Sequence, residues 1–284
     1  MQRTLKRAVE VAGIGLHLGE KAHIVLHPAP ANTGVVFHER GNRSRSVVAR
    51  HSNVKKDTVG FCTRLQDPSS GYSIATVEHL LAAISASGIT NVVVDVAGPE
   101  IPILDGSSQG FLEAIASSGA IEQDNPQQVL YIRQPVKVVK ENKAAYLLPR
   151  PTQELTLSTE VDFTHKNLPR QWISLALSEF QSKVGSARTF TFEDEVALLQ
   201  AHGLAKGGGL HNAVVLDKNG KPINSEGLRF EDEWVRHKAL DVVGDLALAG
   251  HPIAGHYVGI CPGHVLTHEL LDALFANPAN YSIE

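Results

Sequence analysis

The chain has 284 residues, of which 43% are hydrophobic, so it can form one large domain or two ordinary ones around a sizeable core. Its net charge of −4 argues against a mainly electrostatic nucleic-acid-binding protein and leaves room only for a local basic patch. Two cysteines, Cys62 and Cys261, exclude a disulfide framework, and the chain lacks a signal-like or ~20-residue apolar run, so we expect a soluble, cytoplasmic protein.

In the first half of the chain, short apolar runs between turn signals predict β-strands, and helical spacing of apolar residues predicts helices. The predicted strands are 22–28, 34–40 and 91–98. The predicted helices are 75–88 and 106–119. Gly88 and Gly119 suit the C-caps of these helices, and Ser107 or Ser108 suits the beginning of the second.

The segment 122–128 is polar, contains a proline and has no periodicity, which predicts a linker. After it come strands predicted at 129–139, 144–149 and 154–163. The helices predicted after these strands are 192–203, 231–250 and one from near Thr267 to Ala276. Because strands precede helices in both halves, we expect two α+β domains, 1–125 and 126–284.

Within the helix predicted at 231–250, His237, Asp241 and Asp245 follow one another at intervals of four. Residues four apart share a helix face, here beside apolar positions, and buried imidazole and carboxylate groups are costly unless they are paired. A metal ion is one possible partner, and ordinary hydrogen bonding is the other. On its own, such a pair is more often a plain His–Asp contact on a surface helix.

Glu78 and His79 begin the apolar helix predicted at 75–88. The imidazole offers a third metal ligand, and the carboxylate offers a general base for an attacking water. Adjacent helical residues point about 100° apart, so the two side chains can serve different roles at one site. The alternative is a glutamate favoured by the helix dipole beside a histidine packed in the core.

His264 follows Pro262 and Gly263 in what is predicted to be a loop, where a protonated imidazole could donate a proton to a leaving group. Asp245 could orient and charge it; an ordinary solvated histidine is the alternative. Thr189 offers a hydroxyl that could steady an oxyanion, a weak signal by itself. The glycine-rich segment 205–212 lacks the spacing of a phosphate-binding loop and is predicted to be a flexible turn.

Several separated segments together resemble one known family, the UDP-3-O-acyl-N-acetylglucosamine deacetylases, zinc amidases of lipid A biosynthesis in Gram-negative bacteria. The resemblance covers nearly the whole chain in order, and its longest segment surrounds His237. The matching segments are QRTLKR, GIGLHLG, PAPANTGVVF, ATVEHLLAA, PEIPILDGSS, SARTF, EGLRFEDEWVRHKALDVVGDL and GH.

The resemblance implies a role for each matching position of this chain. The implied zinc ligands are His79, His237 and Asp241. Glu78 would be the general base, and His264 the general acid or an electrostatic stabiliser, with Asp245 as its partner. Thr189 would help to hold the oxyanion, Lys238 would contact substrate beside the metal, and His17 would lie near the site in a lesser, substrate-binding role.

The fold implied by the resemblance is α+β, with two β-α-α-β layered sandwich domains of similar topology. Each domain would carry a small insertion, and the active site would lie at the domain junction. The second insertion, near 190–214, would form a hydrophobic passage for an acyl chain. Its expected wall residues, which could equally pack a core, are Val196, Leu199, Leu204, Leu210 and Val215.

The implied reaction is zinc-dependent hydrolysis of the N-acetyl group of UDP-3-O-acyl-N-acetylglucosamine, giving acetate and UDP-3-O-acyl-glucosamine, the committed step of lipid A biosynthesis. The carboxylate in the ligand set also admits iron or cobalt. We therefore expect Zn²⁺ as cofactor, an acylated UDP-sugar as partner, no nucleic acid, no integral membrane segment and a monomer.

Two other functions fit parts of the same pattern. The protein could be a zinc amidase for a different N-acetyl sugar, or a zinc-stabilised binding module without catalysis.

One position departs from the family pattern. Cys261 occupies or adjoins a site before Gly263–His264 where relatives often carry lysine or arginine. A diphosphate contact is then either missing or supplied by another residue.

Overall fold

A computed structural model describes residues 1–56 and 60–284, and these form a mixed α and β protein. The strands are β1 (Arg3–Leu5), β2 (Val9–Ile14), β3 (Lys21–Pro28), β4 (Val35–Glu39), β5 (Asn42–Val48), β6 (Arg64–Gln66), β7 (Ser73–Ala75), β8 (Val92–Ala97), β9 (Ala120–Glu122), β10 (Leu130–Ile132), β11 (Val136–Lys140), β12 (Lys143–Leu148), β13 (Leu155–Val161), β14 (Gln171–Ala176), β15 (Phe190–Phe192), β16 (Val214–Leu216), β17 (Ile253–Ile260) and β18 (Tyr281–Ile283). The helices are α1 (Glu78–Ala86), α2 (Gln109–Ser118), α3 (Phe180–Lys183), α4 (Glu193–Ala201), α5 (Glu233–Leu246) and α6 (His264–Phe275).

The first sheet has the strand order β2-β3-β8-β4-β5. Adjacent strands of this sheet run antiparallel, except that β8 and β4 run parallel to each other. Along β8, Val92, Val94 and Val96 are buried while the residues between them are half-buried on the other face. This alternation is what a sheet with one covered face requires. The three strands predicted in the first half of the chain are confirmed as β3, β4 and β8.

The second sheet is built around β17, which pairs antiparallel with β12 and parallel with β13. At its first two residues β17 also pairs parallel with β10, which in turn pairs with β18. β11 extends the sheet beyond β12, and β14 extends it beyond β13. Alternate residues of β13 are buried, so this sheet also has one face turned to a core.

Helices cover the buried faces and join the two sheets. α5 packs on β13 and β14, α6 packs on β11 and β12, and α2 packs on β2. α1 contacts both α2 and α5. At the crossing of α1 and α5, a Cβ on Gly244 would lie 2.1 Å from the carbonyl oxygen of Glu78, so only glycine fits there. This close approach brings the first turn of α1 beside the last turn of α5.

The predicted helices all exist, with shifted ends. The helix predicted at 106–119 spans Gln109–Ser118, and Gly119 ends it with a φ of +72°, as its predicted C-cap role requires. The helices predicted at 192–203 and 231–250 are α4 and α5. α1 begins at Glu78 rather than at residue 75, because Thr76 has a φ of +61°, which no right-handed helix accommodates.

Two predictions for the second half were wrong in detail. The single strand predicted at 129–139 is two strands, β10 and β11, because Pro135 lies between them and cannot donate to a sheet ladder. The last helix begins at His264, not near Thr267, with Gly263 as an extended N-cap. His264 is therefore the first residue of α6 and does not lie in a loop.

Within residues 1–56 and 60–284, no helix combines the length and the apolar character that crossing a membrane would take. Cys62 and Cys261 are both free thiols.

Core side chains from both halves of the chain belong to one continuous cluster, which includes Leu80 in α1, Leu157 in β13 and Leu240 in α5. The α1–α5 crossing lies within this cluster, which supports the functional side chains of both helices.

Candidate metal and acid–base site

Three buried side chains from α1 and α5 form a compact cluster. His79 lies in the first turn of α1, and His237 and Asp241 lie one turn apart on α5. Asp241 Oδ1 is 3.4 Å from His79 Nε2 and 3.3 Å from His237 Nε2. Their ligand-type atoms lie within 4.8 Å of one another, and no other His, Cys, Asp or Glu group in the described part of the chain meets that criterion.

The chemistry of this cluster fits a divalent metal ion. Asp241 Oδ1 is buried without a hydrogen-bond partner, although it faces two imidazole nitrogens. His237 Nδ1 donates to the carbonyl oxygen of Ala187 at 3.1 Å, which leaves the Nε2 lone pair directed at the cluster. Burial lowers the pKa of His237 to about 4, so the ring is neutral at pH 7. Two imidazoles and a carboxylate leave a fourth position open, as in catalytic zinc sites.

Lys238 binds the other oxygen of the Asp241 carboxylate, with Nζ 2.8 Å from Oδ2. Burial by itself would raise the pKa of Asp241, but its interactions with His237 and with the charged Lys238 hold that pKa well below its ordinary value. The carboxylate therefore stays ionised near neutral pH. The lysine, predicted to lie beside the metal, thus contacts a member of the cluster directly.

Glu78 lies next to the cluster and is only 3% exposed. Its Oε2 accepts a hydrogen bond from the backbone N–H of Thr63 at 3.1 Å, and its Oε1 lies 3.7 Å from His264 Nε2. Burial raises the pKa of Glu78, and the nearby positive charge of His264 opposes that shift. A carboxylate with a raised pKa is a better proton acceptor than an exposed glutamate.

His264 and Asp245 form a buried ion pair, with His264 Nδ1 2.8 Å from Asp245 Oδ2. Burial of His264 opposes its charge, but the carboxylates of Asp245, Glu78 and Asp241 outweigh burial and raise the pKa of His264 to about 10. The imidazole is therefore protonated at neutral pH. Asp245 and His264, predicted to be partners, are thus in direct hydrogen-bond contact.

Two residues that the sequence did not single out complete this network. Thr63 is fully buried and donates from Oγ1 to Asp245 Oδ1 at 2.5 Å. His268 Nε2 lies 3.1 Å from Thr63 Oγ1 and 3.4 Å from Asp245 Oδ1. The spacing of four between His264 and His268 on α6 was a signal that could have found the second histidine. Thr63 had no such local signal.

Thr189 immediately precedes β15, in the segment that borders His237. Its backbone N–H donates to the carbonyl oxygen of Gly106 at 2.7 Å, and the next residue, Phe190, places its ring centroid 6.3 Å from that of His237. The Thr189 side chain is half-buried. Since Ala187 on the same segment accepts from His237, Thr189 belongs to the immediate surroundings of the cluster.

A buried ion pair fixes this segment. Arg188 donates from Nε to Glu233 Oε1 at 2.8 Å and from Nη2 to Oε2 at 3.1 Å. Glu233 also accepts from the backbone N–H groups of Arg188 and Arg229, so all its acceptors face donors. The pair ties the start of α5 to Arg188, the residue before Thr189.

We expect Glu233→Ala to lower the free energy of unfolding by about 3–5 kcal/mol, because it leaves the Arg188 guanidinium buried without its main partner. Urea unfolding followed by circular dichroism measures this. The matched control is Glu226→Ala: Glu226 also contacts Arg188 but is 53% exposed, and we expect a loss below about 1 kcal/mol. Equal losses in the two variants would contradict the role given to the buried pair.

His17 is buried, and neither ring nitrogen has a hydrogen-bond partner. Burial lowers its pKa, and the charge of His264 contributes to the same shift. The glycine-rich segment predicted as a flexible turn is held against this residue: Lys206 N–H donates to His17 O at 3.0 Å, and Gly207 N–H donates to Leu16 O at 3.0 Å. A Cβ on Gly207 would lie 2.2 Å from the carbonyl oxygen of Gly15, so this contact requires glycine. The segment contains turns, as predicted.

The residues predicted to line an acyl passage lie in and after α4, a helix with no buried residue. Val196, Leu199 and Leu204 are half-buried, and Leu210 is 44% exposed. Val215, by contrast, is buried in β16. Residues in and after α4 thus offer apolar side chains to solvent, whereas Val215 does not.

Comparison with known proteins gives consistent matches over the whole chain. Residues 2–276 match the family model for LpxC, UDP-3-O-acyl N-acetylglycosamine deacetylase. A protein of that name from Geobacter sp. (strain M21) is 41% identical over 99% of this chain and 91% of its own length. Relatives of the same name from Actinobacillus pleuropneumoniae and Haemophilus ducreyi are 42% and 41% identical over 97% of this chain and 90% of theirs.

Proposed function

The chain belongs to the LpxC family of UDP-3-O-acyl N-acetylglycosamine deacetylases, and on this premise we propose that it hydrolyses the N-acetyl group of UDP-3-O-acyl-N-acetylglucosamine. The products are acetate and UDP-3-O-acyl-glucosamine, and the step belongs to lipid A biosynthesis. The observation that carries the proposal is the convergence of a His–His–Asp cluster with one buried glutamate and one buried, protonated histidine.

We propose zinc as the metal held by His79 Nε2, His237 Nε2 and Asp241 Oδ1. The partnerless Asp241 oxygen and the neutral His237 ring support this choice, because the carboxylate oxygen and the Nε2 lone pair can both donate electrons to a cation. When bound, zinc supplies the Lewis-acid polarisation that amide hydrolysis needs at neutral pH. Lys238 holds the second Asp241 oxygen, so the carboxylate presents Oδ1 to the ion.

Glu78 acts as the general base in this proposal, taking the proton of the attacking water at its carboxylate. Burial excludes bulk water from Glu78 and raises its pKa, which makes it a stronger proton acceptor. The hydrogen bond from Thr63 N–H engages Oε2. Oε1 is the oxygen that faces His264 across 3.7 Å, and it is free to receive the proton.

His264 acts as the general acid, donating from Nε2 to the departing amine nitrogen. Asp245 accepts the hydrogen bond from His264 Nδ1–H and stabilises the protonated ring, so Nε2–H is available as a donor at neutral pH. Because Nε2 and Glu78 Oε1 are neighbours, the acid and the base can act on the same amide group. Thr189 would donate to the oxyanion from its hydroxyl.

The pH dependence of turnover tests the acid assignment. Asp245 raises the pKa of His264, so we expect Asp245→Asn to let His264 lose its proton at a lower pH. The alkaline limb of the kcat profile should move down by roughly 1–3 pH units, the usual effect of one nearby opposite charge. An unchanged alkaline limb in this variant would show that His264 is not the group that titrates.

The finer organisation is part of the proposal. We propose two layered domains, 1–125 and 126–284, with the site at their junction; this is supported by a first sheet made wholly before residue 98 and a second made wholly after residue 129. His17 and the apolar residues of the α4 region would contact substrate, the latter along its acyl chain. Cytoplasmic location and a monomeric state stay predictions from the sequence.

A comparison of two substrates tests the proposal against an amidase for another N-acetyl sugar. We expect efficient release of acetate from the 3-O-acylated UDP-N-acetylglucosamine and a much lower kcat/KM for the sugar without its acyl chain. The exposed apolar side chains of the α4 region favour this order. Equal kcat/KM for the two would point to the other amidase function, and no release from either would reject deacetylation.

A further inference from the structure

A second histidine, His268, lies one turn after His264 on α6 and points at the same carboxylate. The two rings lie 6.4 Å apart between centroids, with planes 25° from parallel. The side chain of His268 is 11% exposed, and that of Asp245 is 1% exposed. Each Asp245 oxygen thus has its own imidazole neighbour, His264 Nδ1 at Oδ2 and His268 Nε2 at Oδ1.

Counting hydrogens fixes the direction of these contacts. Asp245 can only accept while it is ionised, and the Thr63 hydroxyl has one hydrogen. At 2.5 Å from Asp245 Oδ1, that hydrogen is donated to the carboxylate, as in other short charge-assisted bonds. His268 Nε2, which faces Thr63 Oγ1 and Asp245 Oδ1, must then carry a hydrogen, since a lone pair there would be repelled by the carboxylate.

The Thr63 oxygen is the reason His268 matters for His264. Thr63 Oγ1 also lies 3.3 Å from His264 Nδ1, so it competes with Asp245 Oδ2, at 2.8 Å, for the hydrogen on that nitrogen. The hydrogen bond from His268 engages a lone pair of Thr63 and keeps its hydroxyl turned to Asp245. The hydrogen on His264 Nδ1 is therefore donated to Asp245 Oδ2 and not to Thr63 Oγ1.

We propose that His268 is a positioning residue for deacetylation, which acts through Thr63 and Asp245 to hold His264 in its donating orientation. The proposal rests on the proposed function, because it assumes that His264 is the general acid. His268 need not touch substrate. Its role is to donate a hydrogen bond to Thr63 that keeps the Asp245 carboxylate aligned with the His264 imidazole.

Two substitutions at position 268 test this role. His268→Leu removes the donor at similar bulk, and we expect kcat to fall roughly 10- to 100-fold with little change in KM, as for other residues that orient a reacting group. His268→Gln keeps an N–H donor and should recover most of kcat. Metal content and melting temperature are measured for each variant. Glu269→Ala, which removes only the surface pair with Lys140, is the matched control and should leave kcat unchanged.

His268→Ala, which also lacks the donor, keeps the test decisive if His268→Leu folds poorly. If His268 acts through the Thr63 hydroxyl, adding His268→Ala to Thr63→Val should change kcat far less than His268→Ala does in the parent protein. Additive losses would overturn the proposal. So would wild-type kcat in His268→Leu, or equal losses in the Leu and Gln variants.

Nuclear magnetic resonance separates failure of this inference from failure of the proposed function. In ¹⁵N-histidine-labelled protein, the Nδ1–H resonance of His264 should shift or broaden in His268→Leu and return in His268→Gln, whether or not the protein turns over the UDP-sugar. An unchanged resonance in an active protein rejects the positioning role alone. A responsive resonance in a protein without deacetylase activity rejects the proposed function alone.

Discussion

Glu78→Ala is expected to lower kcat for the acylated UDP-sugar by about 10²–10⁴-fold, the usual contribution of a general base, while the bound metal stays at the wild-type level. The carboxylate lies beside the His–His–Asp cluster but is not one of its members, so its removal spares the ligands. Its Oε1 faces His264, and its Oε2 is held by Thr63 N–H. The loss should therefore fall on proton transfer.

Steady-state kinetics on metal-quantified protein measures this effect. Glu78→Gln, which keeps the shape and removes the base, should be impaired to a similar degree. Glu113→Ala, on the exposed face of α2, serves as the control and should be fully active. Near-normal kcat in both Glu78 variants would remove the base assignment.

His79→Ala is expected to abolish most activity by a different route, through loss of metal affinity. One of two imidazoles disappears from the cluster, leaving His237 and Asp241, which are too few for a catalytic zinc site. Metal analysis after dialysis should find far less zinc per chain than in the wild type. Circular dichroism should still report a folded protein.

The control for this variant is His27→Ala, on the first sheet and paired with Asp95 rather than with the cluster. It should keep both zinc and activity. A His79→Ala protein that retains one tightly bound zinc per chain would exclude this residue as a ligand. Unfolding of the wild type on metal removal would instead indicate a structural metal.

The sequence predicted most of the site because its signals are local. The interval of four between His237 and Asp241 places them on one face of a helix, and Glu78 next to His79 starts another helix. What spacing could not supply is the distance between the two helices. That distance depends on Gly244, which lets the backbone of α5 approach the carbonyl of Glu78.

The missed residues share a physical reason. Thr63 precedes the three-residue strand β6 and reaches Asp245 only after α5 and α6 have packed, so no pattern in its own neighbourhood marks it. His268 was missed because the last helix was predicted to begin near Thr267, which left His264 in a loop outside it. Since α6 begins at His264, the two histidines lie four residues apart on one helix.

Errors in the fold follow the same division. Strands such as β8 and β13 were predicted, whereas the three-residue strands β6, β15 and β16 are too short to show a period. The longer strands β2, β5 and β14 were also missed, although each spans six or seven residues. The 205–212 segment was predicted only as a turn, because glycine removes side-chain information. The sequence could not show its backbone hydrogen bonds to Leu16 and His17, which are far away along the chain.

The most direct test of the central claim is a titration of metal-free protein with Zn²⁺, followed by acetate release from UDP-3-O-acyl-N-acetylglucosamine. We expect metal-free protein to be folded and inactive, and activity to rise and level off at one zinc per chain. The Asp241→Ala variant should show no such saturation. Full activity without metal, or activity that never depends on zinc, would contradict the assignment of this cluster as the catalytic metal site.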